Sequence, residues 1–135
     1  MFICLHVLQV KDGEAKLFDL RFSRKGKVLT ETLEGTLPYM SPEMLSCEKY
    51  TRKTDIFSLG ICLWELWYGR PVYSKPFNHG PAELIKSVTG GQKPSCDRPN
   101  AMPPALQAII SECWELDHNK RPESFQVAIH IGEID

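Results

Sequence analysis

The sequence predicts a mainly helical domain opened by one short β-hairpin, and three observations carry that prediction. From Thr54 to Tyr68 the chain is apolar almost without interruption: Ile56, Leu59, Leu63 and Leu66 follow helical spacing, and Phe57, Ile61, Cys62, Trp64 and Trp67 fill most of the remaining circumference. At Leu106, Ile109, Ile110, Cys113 and Trp114 the apolar residues fall at i, i+3, i+4, i+7 and i+8, a one-sided helical face. Near the start, two short apolar runs flank an Asp-Gly turn, which is a hairpin signal.

Taken in order, Val7–Val10 and Ala15–Phe18 are the two strands, joined through Lys11-Asp12-Gly13-Glu14. Asp19 stands at the end of the second strand, where a carboxylate can project into a cleft. From Arg21 to Glu34 the chain is polar and mixed in charge and reads as an exposed loop. Ser41, Pro42 and Glu43 read as the N-cap, N1 proline and first turn of a short helix. The central stretch follows, with Thr54 as N-cap and Gly69 just past its end. A helix apolar nearly all round is either buried or spans a membrane. Fifteen residues carrying Asp55 and Glu65 are too short and too charged to span, so a buried central helix is expected. Val72 to Gly80 reads as loop, and Pro81 to Val88 as a short amphipathic helix closed before Gly90-Gly91. A connection bearing Pro94, Pro99, Pro103 and Pro104 leads to the helix around Leu106. Arg121-Pro122 is expected to start the last helix, with Phe125, Val127, Ala128 and Ile131 available for burial.

The 135 residues suffice for one domain with a core. A formal net charge of −1 gives no reason to expect nucleic acid or an anionic membrane as partner. Five scattered cysteines with no CxxC pair argue for reduced thiols in a cytosolic or nuclear compartment, of which a cytoplasmic location is the expectation, and against a disulfide framework or a zinc site. The apolar start lacks a basic region and a small-residue cleavage site, which argues against a secretory signal.

Four stretches resemble the protein kinase superfamily. Gly35-Thr36-x-x-Tyr39-Met40-Ser41-Pro42-Glu43 is similar to the end of a kinase activation segment, usually closed by Ala-Pro-Glu. Asp55-x-Phe57-Ser58-Leu59-Gly60 resembles the Asp-x-Trp-Ser-x-Gly start of the kinase F helix. Cys113-Trp114 with Arg121-Pro122 and Phe125 resembles the C-terminal signature of tyrosine and tyrosine-kinase-like kinases, and Lys16-Leu17-Phe18-Asp19-Leu20-Arg21 the strand leading into Asp-Phe-Gly. Thr36 in its Gly-Thr-x-x-Tyr context is similar to Ser/Thr-specific members. The implied fold is the C-terminal lobe of the α+β kinase fold, with the N-lobe absent. The activation segment runs from about residue 19 to 43, the F-type helix over about 54–68 and the C-terminal helices over about 81–131.

The resemblance also implies roles. Asp19 matches the magnesium-binding aspartate, which would act on Mg²⁺ and ATP in a complete domain. Glu43 and Arg121 match the pair that fastens the activation segment to the last helices, and Asp55 the aspartate that holds the catalytic loop. Thr32 falls where many kinases carry an activating phosphate, Thr30 is a neighbouring candidate, and Thr36 lies in the same segment.

Departures weigh against catalysis by this chain. It contains no Gly-rich phosphate loop and no strand lysine. His6 and Met1 stand where the family has the catalytic-loop asparagine and aspartate. Asp-Phe-Gly reads Asp19-Leu20-Arg21, replacing a glycine whose backbone freedom the loop uses. Residues 1–6 match nothing, which suggests a splice junction, an alternative start or a mis-predicted first exon near His6. Without the long helix that precedes the F helix in a full lobe, Phe57, Trp64 or Leu66 is expected to be partly uncovered and the chain marginally stable. The expectation is a pseudokinase-type module with protein partners; the alternative is a part of an active ATP-dependent kinase.

Overall fold

A computed structural model describes residues 7–11, 14–18, 36–73, 80–96 and 101–134. Strands β1 (Val7–Lys11) and β2 (Glu14–Phe18) pair antiparallel, with Val7 opposite Phe18 and Lys11 opposite Glu14. The hairpin is therefore as the Asp-Gly turn predicts. Among the described residues five helices follow: α1 (Pro42–Leu45), α2 (Lys53–Tyr68), α3 (Pro81–Thr89), α4 (Pro104–Cys113) and α5 (Ser124–Gly132). Single 3-10 turns at Leu37–Tyr39 and His118–Lys120 precede α1 and α5. No helix among the described residues is long and apolar enough to cross a membrane, and none of the four described cysteines is in a disulfide.

The core is built on α2 and α4, which pack against each other, with α1 against α3 and α4 against α5. Ile56, Phe57, Ile61 and Trp64 of α2 meet Ile109, Ile110 and Cys113 of α4, with Trp114 just past its end. Burying each large apolar side chain contributes roughly 1.5–3 kcal/mol. The two helices approach closely because Gly60 has no side chain: a Cβ there would lie 2.7 Å from Trp114 Nε1 and 2.8 Å from the Cys113 Cβ. At the far end, Gly69 adopts the left-handed conformation (φ 61°) and its N–H donates to the Glu65 carbonyl, the expected C-cap.

Several expectations need correction. The first turn of α2 already contains Thr54, whose N–H donates to the Thr51 carbonyl, so Arg52 rather than Thr54 precedes the helix. The central helix is not buried all round: Leu66 is 70% and Trp67 39% exposed. Of Phe57, Trp64 and Leu66, one or another of which is expected to be partly uncovered, Leu66 is the exposed one, and Phe57 and Trp64 are buried. The Arg121 guanidinium lies over the Phe57 ring at 5.2 Å. Trp64 is closed over by Arg70 and by its own N–H donating to the Ser95 carbonyl. Arg121-Pro122 does not start α5. A residue before proline is sterically pushed out of the helical region, and Arg121 is extended (ψ 143°), so the helix begins at Ser124 with Glu123 as its cap. Of the four α5 residues expected inside, only Val127 is buried; Phe125 is 63% exposed. Pro104 belongs to α4 rather than to the connection before it.

Candidate functional site

The end of the predicted activation segment is pinned to the helical core by one buried side chain. Arg121 presents a planar fork of five N–H donors, and each has an acceptor. Nη1 donates to Glu43 Oε1 (2.7 Å) and to the Lys53 carbonyl (3.1 Å). Nη2 donates to Glu43 Oε2 (2.8 Å) and the Leu116 carbonyl (3.4 Å), and Nε to the Glu115 carbonyl (2.8 Å). The side chains are 0% and 5% exposed. Burial pushes the Glu43 carboxyl up, but the hydrogen bonds and charge of Arg121 outweigh it and hold the group below its ordinary value. A buried ion pair lasts when its remaining lone pairs and protons are also satisfied; the backbone carbonyls do this for Arg121.

Two further contacts bind the same segment to α2. Ser58 Oγ donates to the Tyr39 carbonyl (2.7 Å), from a position one turn beyond Asp55. The Tyr39 hydroxyl donates to Glu65 Oε2 (2.8 Å), while Glu65 Oε1 accepts from the Val72 N–H (2.9 Å). Burial, and then the hydrogen bond and charge of Glu65, push the Tyr39 hydroxyl up to about 12. Thus α2 holds the segment at Tyr39, through Ser58 and Glu65, while Arg121 holds it at Glu43. Sequence patterning does not reveal Ser58, Glu65 or Lys53 as partners, because their contacts join residues far apart in the chain.

The remaining expected site residues separate into two groups. Thr36 is exposed and precedes the Leu37–Tyr39 turn, its carbonyl accepting from the Tyr39 N–H (2.9 Å). Asp55 is half-buried in the first turn of α2. Asp19, Thr30 and Thr32 lie outside the described residues. Among the described residues, no group of three His, Cys, Asp or Glu side chains could hold a metal ion.

A family model described as the protein kinase domain matches residues 6–131. The chain belongs to the protein kinase superfamily. This kinase segment is 33% identical over 129 residues to the serine/threonine-protein kinase VIK of Arabidopsis thaliana, covering 94% of this chain and 28% of that protein. To a probable serine/threonine-protein kinase of Dictyostelium discoideum it is 34% identical over 133 residues, covering 96% and 14%. To a putative mitogen-activated protein kinase kinase kinase 7-like protein of Drosophila melanogaster it is 31% identical over 103 residues, covering 75% and 26%. The kinase segment therefore spans less than a third of the length of each of these relatives. The mainly helical fold agrees with the C-lobe expected from the resemblance.

Proposed function

We propose that this chain is the activation-segment-bearing part of a Ser/Thr protein kinase domain of the tyrosine-kinase-like group, and that by itself it works as a cytoplasmic protein-binding module. The observation that carries this reading is the buried, fully satisfied Glu43–Arg121 pair, a scaffold feature with no chemistry of its own. Around it the described residues offer surface for a partner. On α3, Pro81, Ala82, Glu83 and Lys86 are exposed while Leu84 and Val88 face the core. Of the groups phosphoryl transfer requires, the sequence supplies only Asp19, and Arg21 occupies the glycine position two residues on.

A thermal-shift titration of the purified chain with Mg-ATP, paired with a phosphate-transfer assay on a Ser/Thr peptide, tests this reading. No shift and no transfer are expected; a saturable shift or transfer would overturn it. A second reading, part of an active kinase, is favoured by the much greater length of the relatives. Full-length transcripts discriminate between the two. An in-frame Gly-rich loop and His-Arg-Asp upstream of Val7 would favour the second reading, and their absence would exclude it.

A further inference from the structure

One lysine ties the two ends of the anchor together. Lys53, the first residue of α2, has a side chain only 15% exposed. Its ammonium donates to the Arg121 carbonyl (2.6 Å) and pairs with Glu123 Oε1 (2.8 Å). Its own carbonyl accepts from Arg121 Nη1 (3.1 Å), so the two residues exchange side-chain-to-backbone bonds in both directions. Glu123 caps α5 in a reciprocal capping box with Gln126, and its other oxygen meets the exposed Arg52 at 3.1 Å. The Lys53 hydrogen bond, together with the charges of Lys53 and Arg52, holds the Glu123 carboxyl below its ordinary value despite some burial.

Taking Glu43–Arg121 as the activation-segment anchor, we propose that Lys53 is the positioning residue of that anchor: it fixes the Arg121 backbone on the start of α2 so that the guanidinium meets Glu43 with both nitrogens. A bidentate fork tolerates little lateral displacement, since moving it breaks both parallel bonds together. Arg121 lies in extended backbone between a 3-10 turn and the α5 cap, so no helix of its own sets its position. Its N–H closes the 3-10 turn on the His118 carbonyl (3.3 Å), and the lysine contact with the exchanged carbonyl bond is what ties it to α2. An ordinary surface pair of lysine and glutamate would leave the anchor unaffected when removed.

Hydrogen exchange on the full chain tests this. The amides of Leu45, Ser46, Cys47 and Glu48 bond to carbonyls of Ser41, Pro42, Met44 and Glu43, and so report whether the segment end stays seated. Lys53→Met is expected to speed their exchange about tenfold, leave Ile61 and Ile110 in the core unchanged, and be rescued by Lys53→Arg. Glu123→Gln, which keeps the lysine and its carbonyl contact, is expected to give a smaller rise in the same amides, about threefold, and serves if Lys53→Met does not fold. A uniform rise across the core, or no rise at residues 45–48, would overturn the proposal. Glu43→Gln separates it from the anchor reading. If that variant leaves residues 45–48 protected, the anchor reading fails; if it exposes them and the Lys53 and Glu123 variants do not, only the Lys53 proposal fails.

Discussion

Replacing Glu43 by alanine removes the one carboxylate that, among the described residues, pairs with the buried Arg121 guanidinium. At an effective dielectric constant of about 20, two unit charges about 4 Å apart attract by roughly 4 kcal/mol. Desolvating the two ions offsets much of this, so the net contribution of the intact pair is small. The truncation is costly for a different reason: the guanidinium stays buried with two donors stranded. Removing one partner of a buried pair costs about 3–5 kcal/mol, a large share of the roughly 5–15 kcal/mol available to a domain. Glu43→Gln keeps an acceptor and the shape of the side chain and should cost less than Glu43→Ala. Arg121→Met should cost at least as much as Glu43→Ala, because it also strands the carbonyls of Lys53, Glu115 and Leu116. The double variant should cost less than the sum of the two single ones. Urea unfolding followed by tryptophan fluorescence measures all four, since Trp64 and Trp114 are buried. The pH dependence has a fixed sign. With the folded Glu43 carboxyl held below its ordinary value of 4.5, its contribution is full above that value. It is lost as pH falls further, through the depressed folded value. A cost under about 1 kcal/mol for Glu43→Ala, the size of a surface pair, or additive single costs, would refute the reasoning.

Two other perturbations have equally definite outcomes. Gly60→Ala places a methyl group 2.7 Å from Trp114 Nε1 and 2.8 Å from the Cys113 Cβ, so α2 and α4 must separate. A loss of about 1–3 kcal/mol in the urea midpoint is expected despite the better helix propensity of alanine, and a gain in stability would contradict the close packing. Tyr39→Phe deletes the hydroxyl held by Glu65 and should cost about 1 kcal/mol at neutral pH. Because the folded Tyr39 hydroxyl is raised from 10.0 to about 12, its contribution is intact below pH 10 and lost as pH rises towards 12. Alkaline unfolding curves of the wild type and Tyr39→Phe should therefore converge in that interval, and parallel curves would show that the hydroxyl is not held.

What the residues reveal unaided follows from how local each cause is. The Asp-Gly hairpin, the Gly69 cap and the one-sided face of α4 depend on neighbours within a turn or two, and each is legible. The first turn of α2 is less so: Thr54 looks like a cap, yet it is buried and the helix starts one residue earlier. Arg121-Pro122 has the composition of a helix start, but the steric effect of proline on its predecessor keeps Arg121 extended. Circumference alone misjudged α2, because apolar residues on every side do not say which are covered; Leu66 stays exposed while Trp64 is sealed by Arg70 and the Ser95 carbonyl. Glu43 and Arg121 were legible only through motif resemblance. Ser58 lies in the F-helix motif, but that motif does not name Tyr39 as its partner; Lys53 and Glu65 carry no periodic or motif signal for their bonds to Arg121 and Tyr39, 68 and 26 positions away.

The five-donor arginine also sets an order of events. Its acceptors come from Glu43, Lys53 and the Glu115–Leu116 stretch, and Glu43 lies 78 positions from it along the chain. Such long-range closure bears its entropy cost before any contact offsets it. The guanidinium can find all its partners only when α1, the start of α2 and the end of α4 are already placed. It behaves as a bolt thrown after the door is shut: its loss should leave the folding rate almost unchanged and appear as faster unfolding. The lifetime of the seated segment is then set by how often that one side chain lets go.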